Sequence, residues 1–316
     1  MVDLTSKHLF VIYFLTLFLL SGCSSKLVLE TGSSTLSLHT ARFGHAVVSD
    51  GSKIYALAGS NERGFLSDIE IIDPISKKKQ ILGNQLLRRR YFSAVWDGDH
   101  SIYILGGVSI RARSLSYQDK VEVFDTITHE VSYASPLPIP TRTNGAVFLD
   151  GKIYVLGGTR PVKRKSTPTA LVLVYNIAED RWSRAADMPT AKTAKAVVKN
   201  GQIYVVGGYD TKSSMDVFEK YNPKTNQWKS LPSLPEKNSA HSLTIVKDKL
   251  YVFGNYNHMT STYRYDFSTQ QWEKINIGYK ASRHNDATTL GDKAYVIGGN
   301  AGRSGPYLDD IQIFEF

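Results

Sequence analysis

The chain has 316 residues, 42% of them hydrophobic and 21% charged, with 24 glycines and a single cysteine. These proportions describe an ordered globular protein and exclude disorder, collagen and a multi-span membrane protein, while one thiol excludes a disulfide framework and any zinc or iron–sulfur site built on several thiolates. The formal charge of +9 favours acidic partners and is too modest to indicate nucleic acid by itself.

The first element is an apolar run, Leu9 to Leu20, preceded by Lys7. Its 12 residues are too few for a hydrocarbon core that needs about 20, so it reads as the core of a signal peptide. Leu20-Ser21-Gly22-Cys23 follows at once and resembles the bacterial lipobox, in which small residues precede the cysteine that is acylated. The lone thiol sits where that processing requires it, so residues 1–22 are expected to be a lipoprotein signal peptide and Cys23 the lipid attachment site. Several acyl chains, at about 0.8 kcal/mol per buried methylene, would anchor the chain stably in a membrane. Ser24-Ser25, with no Asp after the cysteine, resembles the sorting pattern for the outer membrane of Gram-negative bacteria, which makes the cell envelope the expected location.

From residue 26 onward one pattern recurs six times. Its clearest part is a strand that opens on tyrosine and closes on glycine: Ile54-Tyr55 to Gly59, Ile102-Tyr103 to Gly107, Ile153-Tyr154 to Gly158, Ile203-Tyr204 to Gly208, Leu250-Tyr251 to Gly254 and Ala294-Tyr295 to Gly299. The tyrosines recur at intervals of 48, 51, 50, 47 and 44 residues. Before each strand stands a turn pair: Asp50-Gly51, Asp97-Gly98, Asp150-Gly151, Asn200-Gly201, Lys247-Asp248 or Gly291-Asp292. Asp-Gly and Asn-Gly suit the two positive φ angles of a type I′ hairpin. A third strand ends at Ile72-Asp73, Phe124-Asp125, Tyr175-Asn176, Tyr221-Asn222, Tyr265-Asp266 or Phe314-Glu315. Trp182, Trp228 and Trp272 mark a fourth strand in three copies.

These paired glycines, followed by a spaced tyrosine and tryptophan, resemble the kelch motif, with its period of about 50 residues. The resemblance implies an all-β, six-bladed kelch β-propeller over residues 23–316. Since the sixth copy stops after its third strand, the unassigned strand Lys26-Leu27-Val28-Leu29-Glu30 is expected to close the last blade.

Antiparallel strands sort the loops onto two ends of such a disc, and the end reached by the loops joining strands two and three collects most of the Lys and Arg. Arg42, Arg90, Arg142, Lys192 and Arg283 lie 12 or 13 residues before the tyrosine of their copy. They are the candidate anion-binding ring, because guanidinium matches carboxylate and phosphate. Three residues further on, His45, His241 and Asp286 are candidates for the channel lining, in a set that also holds Ser93, Gly145 and Lys195. A structural alternative stands beside this: arginine before the first strand recurs in kelch repeats, where it satisfies carbonyls between blades.

Some kelch propellers are copper oxidases with a tyrosine crosslinked to cysteine, and this chain has no cysteine to spare. In architecture the chain is similar to the bacterial periplasmic N-acetylneuraminate epimerase, a sialic-acid mutarotase, which would use His45, His241, His284, Asp286 or Glu236 for proton transfer. No catalytic motif, metal-ligand spacing or cofactor signature is found. The expectation is therefore a lipid-anchored binding module for an anionic glycan, a sugar acid or an envelope protein, with no nucleic-acid partner because no stacking aromatics interleave the basic runs.

Overall fold

Two-residue turns set the geometry of the repeats. Asp150-Gly151 and Asn200-Gly201 both take two positive φ angles, 50° and 73° in the first pair and 50° and 67° in the second, and they pair Leu149 with Lys152 and Lys199 with Gln202. Asp50-Gly51 and Asp97-Gly98 open longer turns instead. There the aspartate side chain accepts backbone N–H groups, from Ser52 and Lys53 at Asp50 and from Asp99 and Ser101 at Asp97, which is how Asx residues hold a turn.

The computed structural model describes residues 28–30, 36–302 and 304–316. One five-stranded, four four-stranded and one three-stranded antiparallel sheet form the blades. The innermost strands are Ala46–Ser49, Ser93–Trp96, Gly145–Leu149, Ala196–Lys199, Ser242–Val246 and Asp286–Leu290. The third strands include Ile69–Ile72, Val121–Asp125 and Phe218–Asn222, and the first two fourth strands are Lys79–Leu82 and Val131–Ala134. This is the all-β, six-bladed propeller that the repeats imply.

Six apolar clusters form the core, one in each joint between neighbouring blades, and the joint of blades six and one holds Leu38, Val47, Ile54, Tyr295 and Ile297. Polar stitches accompany them. The indoles of Trp182, Trp228 and Trp272 donate to the carbonyls of Ser135, Ala186 and Pro232 on the preceding blade, at 2.9–3.0 Å. Backbone N–H groups of Gly59, Gly107, Gly158, Gly208 and Gly299 donate to the carbonyls of Arg89, Thr141, Lys192, Asn238 and Arg42 on the following blade. The last of these bonds, 2.7 Å long, closes the ring.

The expectation that the amino-terminal strand closes the sixth blade does not hold. Val28–Glu30 pairs antiparallel with Lys79–Leu82 and becomes a fifth strand on the first blade, while the sixth blade keeps three. Both outer strands flanking this joint offer a free edge of backbone donors and acceptors, so a short apolar segment fits either one. What decides is the next described segment. Ser37 bridges Asp310 and the Leu38 amide donates to Asp309, ahead of the third strand of blade six rather than along it. Phe314 and Phe316 pack that strand onto blade five, stacking on Phe253 at 5.6 Å and on Tyr251 at 3.7 Å. Residues 1–22 and Cys23 lie outside the described residues.

Candidate functional site

Each blade enters its first strand through four consecutive residues, and each of the four registers has its own task. The first comprises Arg42, Arg89, Thr141, Lys192, Asn238 and Ser282, all at most 1% exposed. In three blades its cation meets a glutamate on the third strand: Arg42 with Glu70, Arg89 with Glu122 at 2.5 Å, and Lys192 with Glu219. Arg42 also pairs with Asp68 at 2.7 Å and donates to the Ala58 carbonyl at 2.9 Å. Arg89 donates to the Gly106 carbonyl at 3.0 Å. Arg42 and Lys192 are therefore neutralised inside their blades and are closed to a ligand, which corrects their placement in an anion-binding ring. The spacing of 12 or 13 residues merges two adjacent registers, because the turns before the tyrosines differ in length by one or two residues.

Arg90, Arg142 and Arg283 occupy the second register, bridging Val108, Thr159 and Asn300. Among the described residues none of the three has a carboxylate partner. Each lies instead against an aromatic ring: Arg90 over Phe65 at 4.8 Å, Arg142 over Tyr117 at 5.6 Å, and Arg283 over Tyr256 at 4.1 Å. Their remaining bonds are to neutral oxygens, from Arg142 to Thr159 Oγ1 and Ser166 Oγ and from Arg283 to the Tyr256 carbonyl.

The third register is Gly44, Tyr91, Thr143, Ala194, Ala240 and His284. Its amides form a belt around the mouth: Gly44 donates to His284, Tyr91 to Gly44, Thr143 to Tyr91, Ala194 to Thr143, and His284 to Ala240. The belt encloses a cavity of about 550 Å³ lined by Tyr91, Arg142, Tyr209, Tyr256 and His284. Tyr91 and His284 meet edge to face at 5.4 Å. Burial raises the Tyr91 hydroxyl pKa against the pull of Arg90, Arg142 and Arg283. Burial, helped by Arg283, Arg90 and Lys195, pushes His284 down to about 4. Arg90 and Arg283 thus act on both rings, while Arg142 acts on Tyr91 and Lys195 on His284.

The fourth register carries His45, Lys195 and His241, all lining the cavity. Lys195 on blade four reaches Asp286 on blade six at 2.7 Å, and the second Asp286 oxygen accepts the Val47 amide of blade one at 2.9 Å. Asp286 is thus in the channel, held by a strut that ties three blades together. His45 and His241 are 3% and 2% exposed. Burial lowers the first far below its usual 6.5 and the second to about 3, in both cases with Lys195 adding repulsion. Glu236 does not line this cavity; it binds His258 and the Tyr263 hydroxyl on blade five.

The two buried imidazoles make stability depend on pH. Unfolded histidine takes up its proton near pH 6.5, whereas folded His241 does so only near 3. In between, the unfolded chain binds more protons, so folding weakens as pH falls from 6.5 towards 4, by up to about 1.4 kcal/mol per pH unit for each histidine. Denaturant midpoints measured over that window should flatten in His241→Asn. An unchanged slope would mean that His241 is charged in the folded state.

Arg89, Tyr91, Tyr256 and the glutamates are the residues that sequence reasoning missed. One signal was present: Glu70, Glu122 and Glu219 each interrupt an apolar third strand, and a carboxylate there requires a buried cation.

Comparison with known proteins adds the following. The family described as KLHDC2/KLHL20/DRC7 Kelch-repeats domain matches residues 143–316, and the one described as Attractin/LZTR1 beta-propeller matches residues 24–218. The chain is 28% identical over 236 residues to Kelch-like protein terF of Aspergillus terreus, covering 69% of the chain and 51% of that protein. To human Kelch-like protein 23 it is 28% identical over 214 residues, covering 67% of the chain and 36% of the relative. Mouse Kelch-like protein 35 is 29% identical over 223 residues, covering 69% and 36%. The chain spans about half, or less, of the length of these relatives.

Proposed function

Because the chain belongs to the kelch-repeat β-propeller family, we propose that it is a binding module whose mouth cavity takes the anionic group of a glycan, a sugar acid or an envelope protein. The observation that carries this reading is that Arg142 lines the cavity while Arg90 and Arg283 lie behind its walls, over Tyr91 at 5.1 Å and Tyr256 at 4.1 Å, all three without carboxylate partners among the described residues. Charge-assisted bonds from guanidinium to carboxylate contribute about 1.5–3 kcal/mol each, and Tyr91 and Tyr256 offer apolar faces for a sugar ring. The reading includes anchoring by acylation of Cys23 in the cell envelope, on the outer membrane, after removal of residues 1–22. Lipobox resemblance and the single thiol support it.

An array of anionic glycans read at two salt concentrations tests the module. Binding should weaken as salt screens the site, and each of Arg90→Gln, Arg142→Gln and Arg283→Gln should reduce affinity by about tenfold or more. Binding indifferent to all three changes would refute the assignment. The alternative, a sialic-acid mutarotase, uses the same cavity and requires a proton to pass at a ring oxygen, with neutral His284 beside Tyr91 as the available pair. Exchange NMR of sialic-acid anomers decides between them: unaltered exchange rates leave the binding module, and accelerated exchange replaces it with the enzyme.

A further inference from the structure

Three of the loops between second and third strands are built as β-hairpins, a short one of Ser60–Asn61 with Gly64–Phe65 on blade one and two longer ones that leave the mouth face. Val108–Arg111 pairs with Ser114–Tyr117 on blade two, and Thr159–Val162 with Lys165–Pro168 on blade three. Their tips take two positive φ angles each, 47° and 64° at Ala112-Arg113 and 46° and 64° at Lys163-Arg164, so both are tight, twisted ribbons. A hydrogen bond of 2.8 Å between Tyr117 Oη and Ser166 Oγ ties them together. Residues 108–118 and 159–168 contain Arg111, Arg113, Arg160, Lys163, Arg164 and Lys165 and no Asp or Glu, and none of the six joins an ion pair among the described residues. Ile110 and Leu115 face each other across the first hairpin and are 61% and 52% exposed. Exposed apolar side chains set among cations are the composition of a surface that enters the interface of an anionic bilayer.

The amino-terminal strand points the same way. Lys79–Leu82 runs towards the mouth face, since the chain passes from it to Arg90 and Tyr91. Val28–Glu30 is antiparallel to it, with Val28 opposite Ile81 and Glu30 opposite Lys79. The chain therefore enters the first blade from the mouth side. Cys23 precedes Val28 by five residues, a reach of about 17 Å at 3.3 Å per residue.

We propose that the hairpins of blades two and three dock on an anionic membrane surface, the one in which Cys23 is anchored, with their cations among the headgroups and Ile110 and Leu115 at the acyl boundary. This rests on the lipid-anchor reading above. The mouth then faces the membrane, tilted so that blades four to six, which carry no such hairpin, form the open side through which a ligand enters.

The test uses residues 23–316 with Cys23→Ser, which retain every described contact, sedimented with vesicles of phosphatidylethanolamine with and without phosphatidylglycerol. The protein should partition onto the anionic vesicles and be released by salt. Arg111→Ser/Arg113→Ser/Lys163→Ser/Arg164→Ser should lose at least about tenfold in partitioning and Ile110→Ser/Leu115→Ser several-fold, whereas Lys77→Ser/Lys78→Ser at the opposite end should change nothing. Equal binding to neutral vesicles, or equal loss in the Lys77/Lys78 variant, would overturn the proposal. So would capture of an acidic protein in place of vesicles. The intact mass of the native mature protein reports acylation of Cys23 separately, so a missing anchor and a missing docking surface are told apart.

Discussion

Arg42→Ala is expected to destabilise the propeller by about 3–5 kcal/mol, the cost of stranding a buried charge. Glu70 is fully buried and accepts the amides of His39 at 2.6 Å and Thr40 at 2.9 Å as well as the guanidinium. Without the cation those two amides remain its only compensation, and the Ala58 carbonyl also loses its donor. Replacing both charges, Arg42→Met with Glu70→Leu, should recover only part of the loss: no buried charge is stranded at Glu70, but the His39 and Thr40 amides and the Ala58 carbonyl lose their side-chain partners. In the neighbouring register, Arg90→Ala should cost about 1–2 kcal/mol, the stacking on Phe65, Tyr91 and Phe43. Urea unfolding of the four proteins tests the assignment. Equal losses for Arg42 and Arg90 would mean that the two registers do the same work.

Gly158→Ala should be nearly as damaging. Its φ of 91° is one that L residues rarely adopt, and a Cβ there would lie 2.6 Å from the Arg142 carbonyl oxygen and 3.0 Å from the Asn144 amide nitrogen. Neither is the end of a flexible side chain, so within blade three the exit of the second strand must move away from the entry to the first, and the bond from the Gly158 amide to Lys192 on blade four is strained with it. We expect a loss above about 3 kcal/mol, in the range of severe backbone conflict. Gly201→Ala is the matched control: its φ is 67°, with nothing within 4 Å of the added carbon, so only the left-handed penalty of about 1 kcal/mol applies. Comparable midpoints for the two variants would contradict the close approach of the Gly158 backbone to Arg142 and Asn144.

The repeats were legible because their signals are local. Tyrosine and glycine at fixed spacing, turn dipeptides and the three tryptophans each report on a few neighbouring residues, and the blades appear where they predict. Arg42 and Arg90 show where local reading stops. Their spacings to the next tyrosine agree, yet one carries a buried ion pair 28 residues away in sequence while the other leans on aromatic rings, and a difference of one residue in turn length is invisible to a count. Glu70, Glu122 and Glu219 held the missing information, since a carboxylate inside an apolar strand marks the blade that must contain its own cation. Pairing of Val28–Glu30 was undetermined for another reason: a short apolar strand fits any open edge, and only the path of residues 36–38 separates the two edges.

The ring of amides at the mouth has one unlinked seam. Every neighbouring pair in that circuit shares a bond except Ala194 and Ala240, where blade four meets blade five. A circular wall with five fastened seams and one unfastened concentrates its breathing at the weak one, so solvent should exchange earliest with protons flanking that seam. Lys195 and Asp286 span it like a latch from blade four to blade six, and the force needed to spring the wall should therefore fall as salt loosens the latch.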